Sequence, residues 1–200
     1  MTAVIFVSTI FFICLHEYIH GYAADKLGDP TVRFNKRNTL NPIAHIDMFG
    51  TCCLPLFLLL TAGFLPIGYA KPIPINPAQL RRPKQDIIKI CLSGPLVNLF
   101  LGIFFAFSYR LNLLWLSEIW IIFSAINIYL FVFNLLPFAP LDGARIIMVI
   151  WPNRIMEKYF SNVWLSFLFF VFFIFAGGCK YLLTPIVRSI LFIIGIDGVI

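Results

Sequence analysis

The chain consists of apolar stretches joined by short polar connections. An apolar stretch of about 20 residues can cross roughly 30 Å of hydrocarbon as a helix. The pattern therefore predicts an all-α polytopic membrane protein with about five to six transmembrane or re-entrant segments. The second and fifth stretches are short for a full crossing. The stretches are residues 3–22, 54–69, 87–109, 119–136, 163–176 and 182–200.

The polar connections carry further structural signals. Gly28-Asp29-Pro30 predicts a turn, and residues 31–34 after it predict a short strand. Prolines scattered over residues 66–83 exclude a helix through much of that region. We therefore expect short extended, β-like elements in both connections. Neither connection is long enough to be a separate domain, so residues 1–200 are predicted to form one integral membrane domain.

Composition agrees with a membrane protein. Hydrophobic residues make up 60% of the chain and charged residues 12%, and the mean hydropathy is +0.93. A soluble core of this size could not bury so much apolar surface. The net charge of +6 does not indicate nucleic-acid binding, because the basic residues lie in the polar connections and no nucleic-acid motif accompanies them. Residues 1–15 lack the basic start of a signal peptide, so we expect them to be retained in the first helix.

The candidate chemistry is concentrated in His16-Glu17-Tyr18-Ile19-His20, near the end of the first apolar stretch. Histidines four residues apart lie on one face of a helix, so both imidazoles can reach one Zn²⁺ with Glu17 beside the open coordination position. The same spacing also occurs in ordinary helices as two exposed histidines. An ionisable group inside an apolar segment costs about 2–3 kcal/mol, however, which makes these residues functional candidates.

A catalytic zinc usually has a third protein ligand, and the residues leave His45, Asp47 and Asp142 as candidates. Asp142 stands out because Pro137, Pro140 and a following glycine interrupt an apolar stretch there. Irregular backbone at membrane depth is tolerated where it lines a cavity enclosed by protein.

Membrane topology bears on Asp142, which must lie on the same side of the membrane as the two histidines. The segment order places it there if residues 54–69 are re-entrant. All basic residues except Arg110, Lys180 and Arg188 then lie on that side, which the positive-inside rule makes cytoplasmic. The β-like elements are predicted on the same side, and the N-terminus is predicted to be outside.

Several motifs occur together between about residues 10 and 151. They are HExxH at residues 16–20, Asn41-Pro42-Ile43-Ala44-His45-Ile46-Asp47, Gly94-Pro95-Leu96-Val97-Asn98, and Asn134 followed by Leu141-Asp142-Gly143. In content and order they resemble the site-2 protease family of intramembrane zinc metalloproteases, peptidase family M50, in its compact form without a PDZ domain. Ala144 departs from the pattern, since many members have a second glycine there.

The resemblance implies that His16, His20 and Asp142 are zinc ligands and that Glu17 is the catalytic acid and base. The reaction implied is hydrolysis of peptide bonds in or near transmembrane segments of membrane proteins by zinc-activated water. The family-like core covers about residues 10–151, and further membrane segments are expected in 162–200. The small size and the lack of a targeting sequence suggest the lipid bilayer of a prokaryotic inner membrane.

The resemblance also suggests residues that contact the substrate. Asn134 would lie near the scissile peptide, and residues 66–77 would contribute to the substrate-binding surface. Asn98 fits helix packing slightly better than substrate contact. His45 fits a local structural role and an active-site role about equally.

A different class of function would use the same buried groups. A polytopic carrier of ions, protons or metal could place these histidines and carboxylates along its path without hydrolysis. That alternative does not explain the HExxH spacing. The substitution Glu17→Gln separates the two, because it should abolish proteolysis with metal retained, whereas a carrier has no peptidase activity in either form. The patterns predict neither the identity of the substrate nor the oligomeric state.

Overall fold

The computed structural model of the chain describes residues 2–35, 39, 41, 74–111 and 117–196. His45, Asp47, the apolar stretch 54–69 and residues 66–73 of the proline-rich region lie outside this part of the chain. The re-entrant segment, and the topology that depends on it, therefore remain predictions.

Within the described residues every regular element is a helix, which confirms the predicted all-α class. The α-helices are α1 (Thr2–Lys26), α2 (Thr31–Phe34), α3 (Pro83–Arg110), α4 (Ser117–Asn134), α5 (Asp142–Ile150), α6 (Arg154–Ser161), α7 (Val163–Phe175) and α8 (Thr184–Ile193). A 3₁₀ turn at Pro77–Gln79 precedes α3, and a π-helical segment, Cys179–Leu183, leads into α8.

Three of the described helices, α1, α3 and α4, are long and apolar enough to cross a membrane. They coincide with three of the apolar stretches that predicted helices. A fourth candidate span results if Leu168–Phe175 and Cys179–Ile193, which are bent by 68° at a short break, count as one. The described residues therefore support three to four candidate spans and do not support the predicted five to six.

The strand predicted at residues 31–34 is wrong, because these residues form α2, a single helical turn. The Asp29 carboxylate accepts a hydrogen bond from the Thr31 N–H at 3.0 Å and another from the Thr31 hydroxyl, which favours the start of a turn. Residues two apart share one face of a strand, yet Val32 is fully buried and Phe34 is 80% exposed. No strand occurs among the described residues, and the β-like elements are not supported.

The chain divides into two compact units, Met1–Val97 and Asn98–Ile200. The boundary falls inside α3, which contributes to both units. The predicted single domain of residues 1–200 stays a prediction, because this division does not test whether either unit folds independently.

In the first unit, the end of α1 packs with α2 and the start of α3. The Asp29 carboxylate, fully buried in the turn after α1, also accepts the Asn76 N–H at 2.6 Å and so attaches the segment before α3 to this turn. The apolar cluster beside it fixes where the first turns of α3 meet α1. The cluster contains Ala24, Val32, Leu80 and Ile90.

In the second unit, α4 packs against the later turns of α3 and against α8. A Cβ on Gly102 would lie 2.5 Å from Ile128 Cδ1, so the glycine permits a close approach of α3 and α4. The Ser124 hydroxyl donates to the Gly102 carbonyl oxygen at 2.8 Å. Toward α8, the hydroxyl oxygens of Tyr129 and Thr184 are 2.7 Å apart. These contacts hold α4, whose last residue leads into the loop before Asp142.

Candidate metal centre

The two histidines of α1 meet at their Nε2 atoms. The Nε2 atoms of His16 and His20 are 2.9 Å apart, and the ring planes are inclined at 88° with centroids 4.5 Å apart. Both side chains are buried, at 3% and 4% exposure. Two ring nitrogens that converge on one point are what a shared metal ion requires.

The backbone of α3 orients His20. Its Nδ1 atom lies 2.6 Å from the Ile90 carbonyl oxygen. Because a carbonyl oxygen can only accept a hydrogen bond, Nδ1 carries the proton and Nε2 presents a lone pair. The Ser93 hydroxyl donates to the same carbonyl oxygen at 2.7 Å. Metal-binding histidines are commonly supported in this way through the second ring nitrogen.

Gly94 is the point where α3 comes closest to the histidines. A Cβ at this position would lie 2.5 Å from His20 Nε2 and 2.6 Å from His16 Cε1. Side chains do not approach so closely, so the position requires glycine while the rings keep their places. The missing side chain leaves room beside the Nε2 atoms, and the residues present therefore fit a zinc ion held by two imidazoles.

Asp142 begins α5, directly after an irregular stretch at residues 135–141 that we call the aspartate loop. The Asp142 side chain is buried, at 6% exposure. The loop folds back so closely on the start of α5 that a Cβ on Gly143 would lie 2.2 Å from the Leu135 carbonyl oxygen. The glycine after the aspartate is therefore a steric requirement of this turn.

Helix α7 contacts the aspartate loop. The Ala139 N–H donates to the hydroxyl oxygen of Ser166, which is fully buried, at 2.6 Å. The Phe138 ring centroid lies 5.7 Å from that of Phe170 and 5.2 Å from that of Phe173. Support for the loop thus includes side chains from a later part of the chain.

Among the described residues, His16, His20 and Asp142 form a group that could hold a metal ion. Each is buried and offers one ligand atom, and the three atoms lie within 4.8 Å of one another. Two imidazoles and a carboxylate are a known ligand set of catalytic zinc, and three protein ligands leave a fourth position for water or substrate.

The other candidate residues are placed as follows. Glu17 follows His16 on α1 and is half-buried. Asn134 ends α4, half-buried, and its Nδ2 atom donates to the Leu130 carbonyl oxygen at 2.9 Å. Asn98 is fully buried on α3, one helical turn after Gly94. The roles of these residues stay predictions, as does that of His45, which lies outside the described residues.

Sequence reasoning missed three contributors, the Ile90 carbonyl and the hydroxyls of Ser93 and Ser166. The contact of His20 with Ile90 spans 70 residues, and that of Ala139 with Ser166 spans 27, so no local pattern marks them. A buried serine in an apolar helix is the one signal that could have indicated Ser166.

Known proteins similar to this chain include metalloproteases. The family model described as Peptidase family M50 matches residues 109–175, which include the aspartate loop and Asp142. YwhC of Bacillus subtilis (strain 168), which carries the name of a zinc metalloprotease, is 35% identical over 186 residues, covering 88% of this chain and 81% of the relative. No solved structure matches the chain.

Proposed function

Because the chain belongs to peptidase family M50, the site-2 protease family, and is a zinc metalloprotease, we propose that it cleaves membrane proteins in or near their transmembrane segments. His16, His20 and Asp142 hold the zinc in this proposal, and Glu17 is the general acid and base. The observation that carries it is the group of three buried ligand atoms within 4.8 Å of one another.

The membrane setting supports a substrate that is itself in the membrane. His16 and His20 lie inside α1, and the candidate span Ala3–Lys26 contains both. Their surroundings are buried, so a peptide bond must reach them from within or beside the apolar layer. Segments of other membrane proteins meet that condition, whereas soluble peptides would have to leave water.

We place the site toward the cytoplasmic side of a multi-pass protein in a prokaryotic inner membrane. The end of α1, which follows the histidines, and the start of α3 lie among exposed basic residues, and such residues accumulate on the cytoplasmic side. These exposed residues include Lys26, Arg33, Arg81, Arg82 and Lys84.

In this proposal, different residues of the chain have different roles in peptide hydrolysis. Zinc, when bound, supplies a Lewis acid that polarises the scissile carbonyl and activates water. Glu17 accepts the proton of the attacking water and passes it to the leaving amine. The Ile90 carbonyl keeps the His20 ring oriented. The amide of Asn134, which has a second N–H besides the one bonded to Leu130, donates to the substrate peptide.

The first test compares zinc content and substrate cleavage in detergent-purified wild type, Asp142→Ala and Glu17→Gln. We expect about one zinc per chain in the wild type, because three protein ligands complete a catalytic site. Asp142→Ala should lose the zinc, and Glu17→Gln should keep it, since Glu17 is not a ligand. Cleavage of a transmembrane test substrate should fall in Glu17→Gln by about 10²- to 10⁴-fold, the usual contribution of a general base.

Three results would contradict the proposal. The three-ligand site is contradicted if the wild type contains no zinc, or if Asp142→Ala contains as much zinc as the wild type. Cleavage that survives Glu17→Gln would remove its role as base. Bound zinc with no peptide hydrolysis, together with ion or metal transport that Glu17→Gln abolishes, would favour the carrier.

A further inference from the structure

We propose that Ser166 of α7 is a positioning residue for the metal site, because it fixes the aspartate loop that presents Asp142. This inference rests on the proposed role of Asp142 as a zinc ligand. Ser166 itself touches neither substrate nor metal in this proposal, and it acts through the backbone of Ala139.

The central contact is the 2.6 Å hydrogen bond from the Ala139 N–H to the Ser166 hydroxyl oxygen. Ser166 is fully buried, and Ala139 lies three positions before Asp142 in the sequence. Ala139 itself is half-buried, but its N–H points at this fully buried side chain, and an N–H that loses its acceptor there is left unsatisfied at a cost in free energy. Loss of the hydroxyl would therefore favour a shift of the loop toward another partner.

The same face of α7 also packs against Phe138, the residue before Ala139. Ser166, Phe170 and Phe173 are spaced by four and three residues, which places them on one face of the helix. The ring of Phe138 packs against both phenylalanines, with centroids 5.7 and 5.2 Å away. Phe170 also packs against Phe133, near the end of α4, with centroids 5.7 Å apart. Helix α7 thus holds residues 138 and 139 by one polar and two aromatic contacts.

The other backbone hydrogen bonds described for the aspartate loop are local. The N–H groups of Leu135 and Leu136 donate to carbonyls at the end of α4, at 3.3 and 3.1 Å, and that of Leu141 donates to Phe138 at 2.8 Å. These bonds shape the loop but do not connect it to another part of the fold. Among the backbone hydrogen bonds described for the loop, the one to Ser166 makes that connection, and together with the packing of Phe138 on α7 it fixes the loop that leads to Asp142.

The test measures the zinc dissociation constant of the full-length protein in detergent, by competition with a fluorescent chelator and with zinc alone as the ligand. Ser166→Ala is the main variant, and Ser108→Ala is its matched control. Ser108 is also buried, at 3% exposure, but its hydroxyl donates to the Phe104 carbonyl of its own helix at 2.9 Å. Removing that hydroxyl leaves no backbone N–H group without its acceptor. If Ser166→Ala does not fold, Ser166→Cys takes its place, since the thiol nearly keeps the volume and is a weak acceptor.

We expect Ser166→Ala to raise the zinc dissociation constant about 10- to 100-fold, the range for losing a partner that orients a metal ligand. Ser108→Ala should stay within about threefold of wild type, since it leaves such partners in place. The absorption spectrum of bound Co²⁺ should change in Ser166→Ala and not in Ser108→Ala, because the spectrum reports the ligand geometry.

Two results would overturn the inference while leaving the proposed function intact. One is a dissociation constant for Ser166→Ala, or for Ser166→Cys in its place, that matches wild type. The other is an equal increase in both serine-to-alanine variants, which would reflect general destabilisation. Failure of the proposed function is distinguished by Asp142→Ala: if that variant binds zinc as tightly as wild type, Asp142 is not a ligand, and the inference falls with it.

Discussion

The histidine pair and the aspartate are buried to a similar degree but are held in different ways. His16 and His20 lie within a regular helix of 25 residues, and the shortest contacts that support them from α3 are with its backbone, at the Ile90 carbonyl oxygen and at Gly94. The Ser93 hydroxyl lies farther away, at 3.3 Å from His20 Nδ1. Asp142 follows an irregular loop, and side chains of α7 support that loop, through the Ser166 hydroxyl and the rings packed on Phe138.

The difference shows where each part of the candidate site is sensitive to substitution. A carbonyl oxygen is present whatever residue occupies position 90, so the hydrogen bond to His20 does not depend on the identity of that side chain, which contributes instead to the apolar cluster between α1 and α3. The support of the aspartate loop depends on the identity of each side chain that contacts it. We therefore expect the histidine pair to be sensitive mainly at Gly94, and the aspartate loop to be sensitive at several positions.

Gly143→Ala should have the largest effect in either region. Its Cβ would lie 2.2 Å from the Leu135 carbonyl oxygen and 2.6 Å from that of Leu136, and these backbone atoms can move only if the loop opens. Overpacking costs about 1–3 kcal/mol and occasionally more, and we expect at least the upper end here. Both the melting temperature, followed by circular dichroism in detergent, and the zinc content should fall.

The neighbouring Ala144→Gly is the control, since it adds no atoms. A melting temperature and zinc content equal to wild type in Gly143→Ala would show that the loop is not tightly closed.

Gly94→Ala should separate zinc binding from stability in the histidine region. Its Cβ meets two imidazole rings, so we expect zinc affinity to fall about 100-fold, as when a metal ligand loses its orienting support. Gly102→Ala is matched to it on the same helix. That Cβ would also lie 2.5 Å from a neighbour, but the neighbour is the end of the Ile128 side chain.

We expect Gly102→Ala to lower the melting temperature and to leave zinc affinity unchanged. Equal losses of zinc affinity in the two glycine variants would mean that Gly94 acts through helix packing and not through the histidines.

Ser93→Ala should have the smallest effect. Its hydroxyl donates to the Ile90 carbonyl and lies 3.3 Å from His20 Nδ1, and the shorter contact of Nδ1, at 2.6 Å from the Ile90 carbonyl oxygen, remains after the substitution. We therefore expect zinc affinity to fall less than about 10-fold, below the range for losing the main partner of a metal ligand. The same competition assay applied to Ser93→Ala and Ser166→Ala compares the two regions directly. A larger loss in Ser93→Ala would contradict the distinction between backbone support and side-chain support.

Much of the helical fold could be predicted because apolar stretches are local signals. Helices α1, α3 and α4 follow from such stretches. The error at residues 31–34 has a physical cause, since the β-branched and aromatic residues favour a strand by propensity while the Asp29 carboxylate favours a helical turn. The hydrogen bonds of one carboxylate just before the segment outweigh the strand propensity of the segment itself.

The candidate site was predictable to the extent that its parts are close in sequence. The two histidines share one helical turn, so their spacing within an apolar segment indicates a candidate metal site. Asp142 could be named from its broken helix only as one of three candidates, and the family resemblance was needed to single it out. Contacts that cross tens of residues, such as those of Ile90 and Ser166, leave no periodic or compositional trace.

The contact of His20 with α3 also bears on the thermodynamics of metal binding. The ring is bonded at Nδ1 and lies against the Cα of Gly94, so its rotation about χ1 and χ2 is restricted by folding alone. Ordering a side chain lowers its conformational entropy. Here the packing of α1 and α3 orders the ring during folding, before an ion binds. An ion that binds His20 therefore has less disorder to remove than it would on an isolated helix with the same HExxH spacing, and its affinity is correspondingly higher.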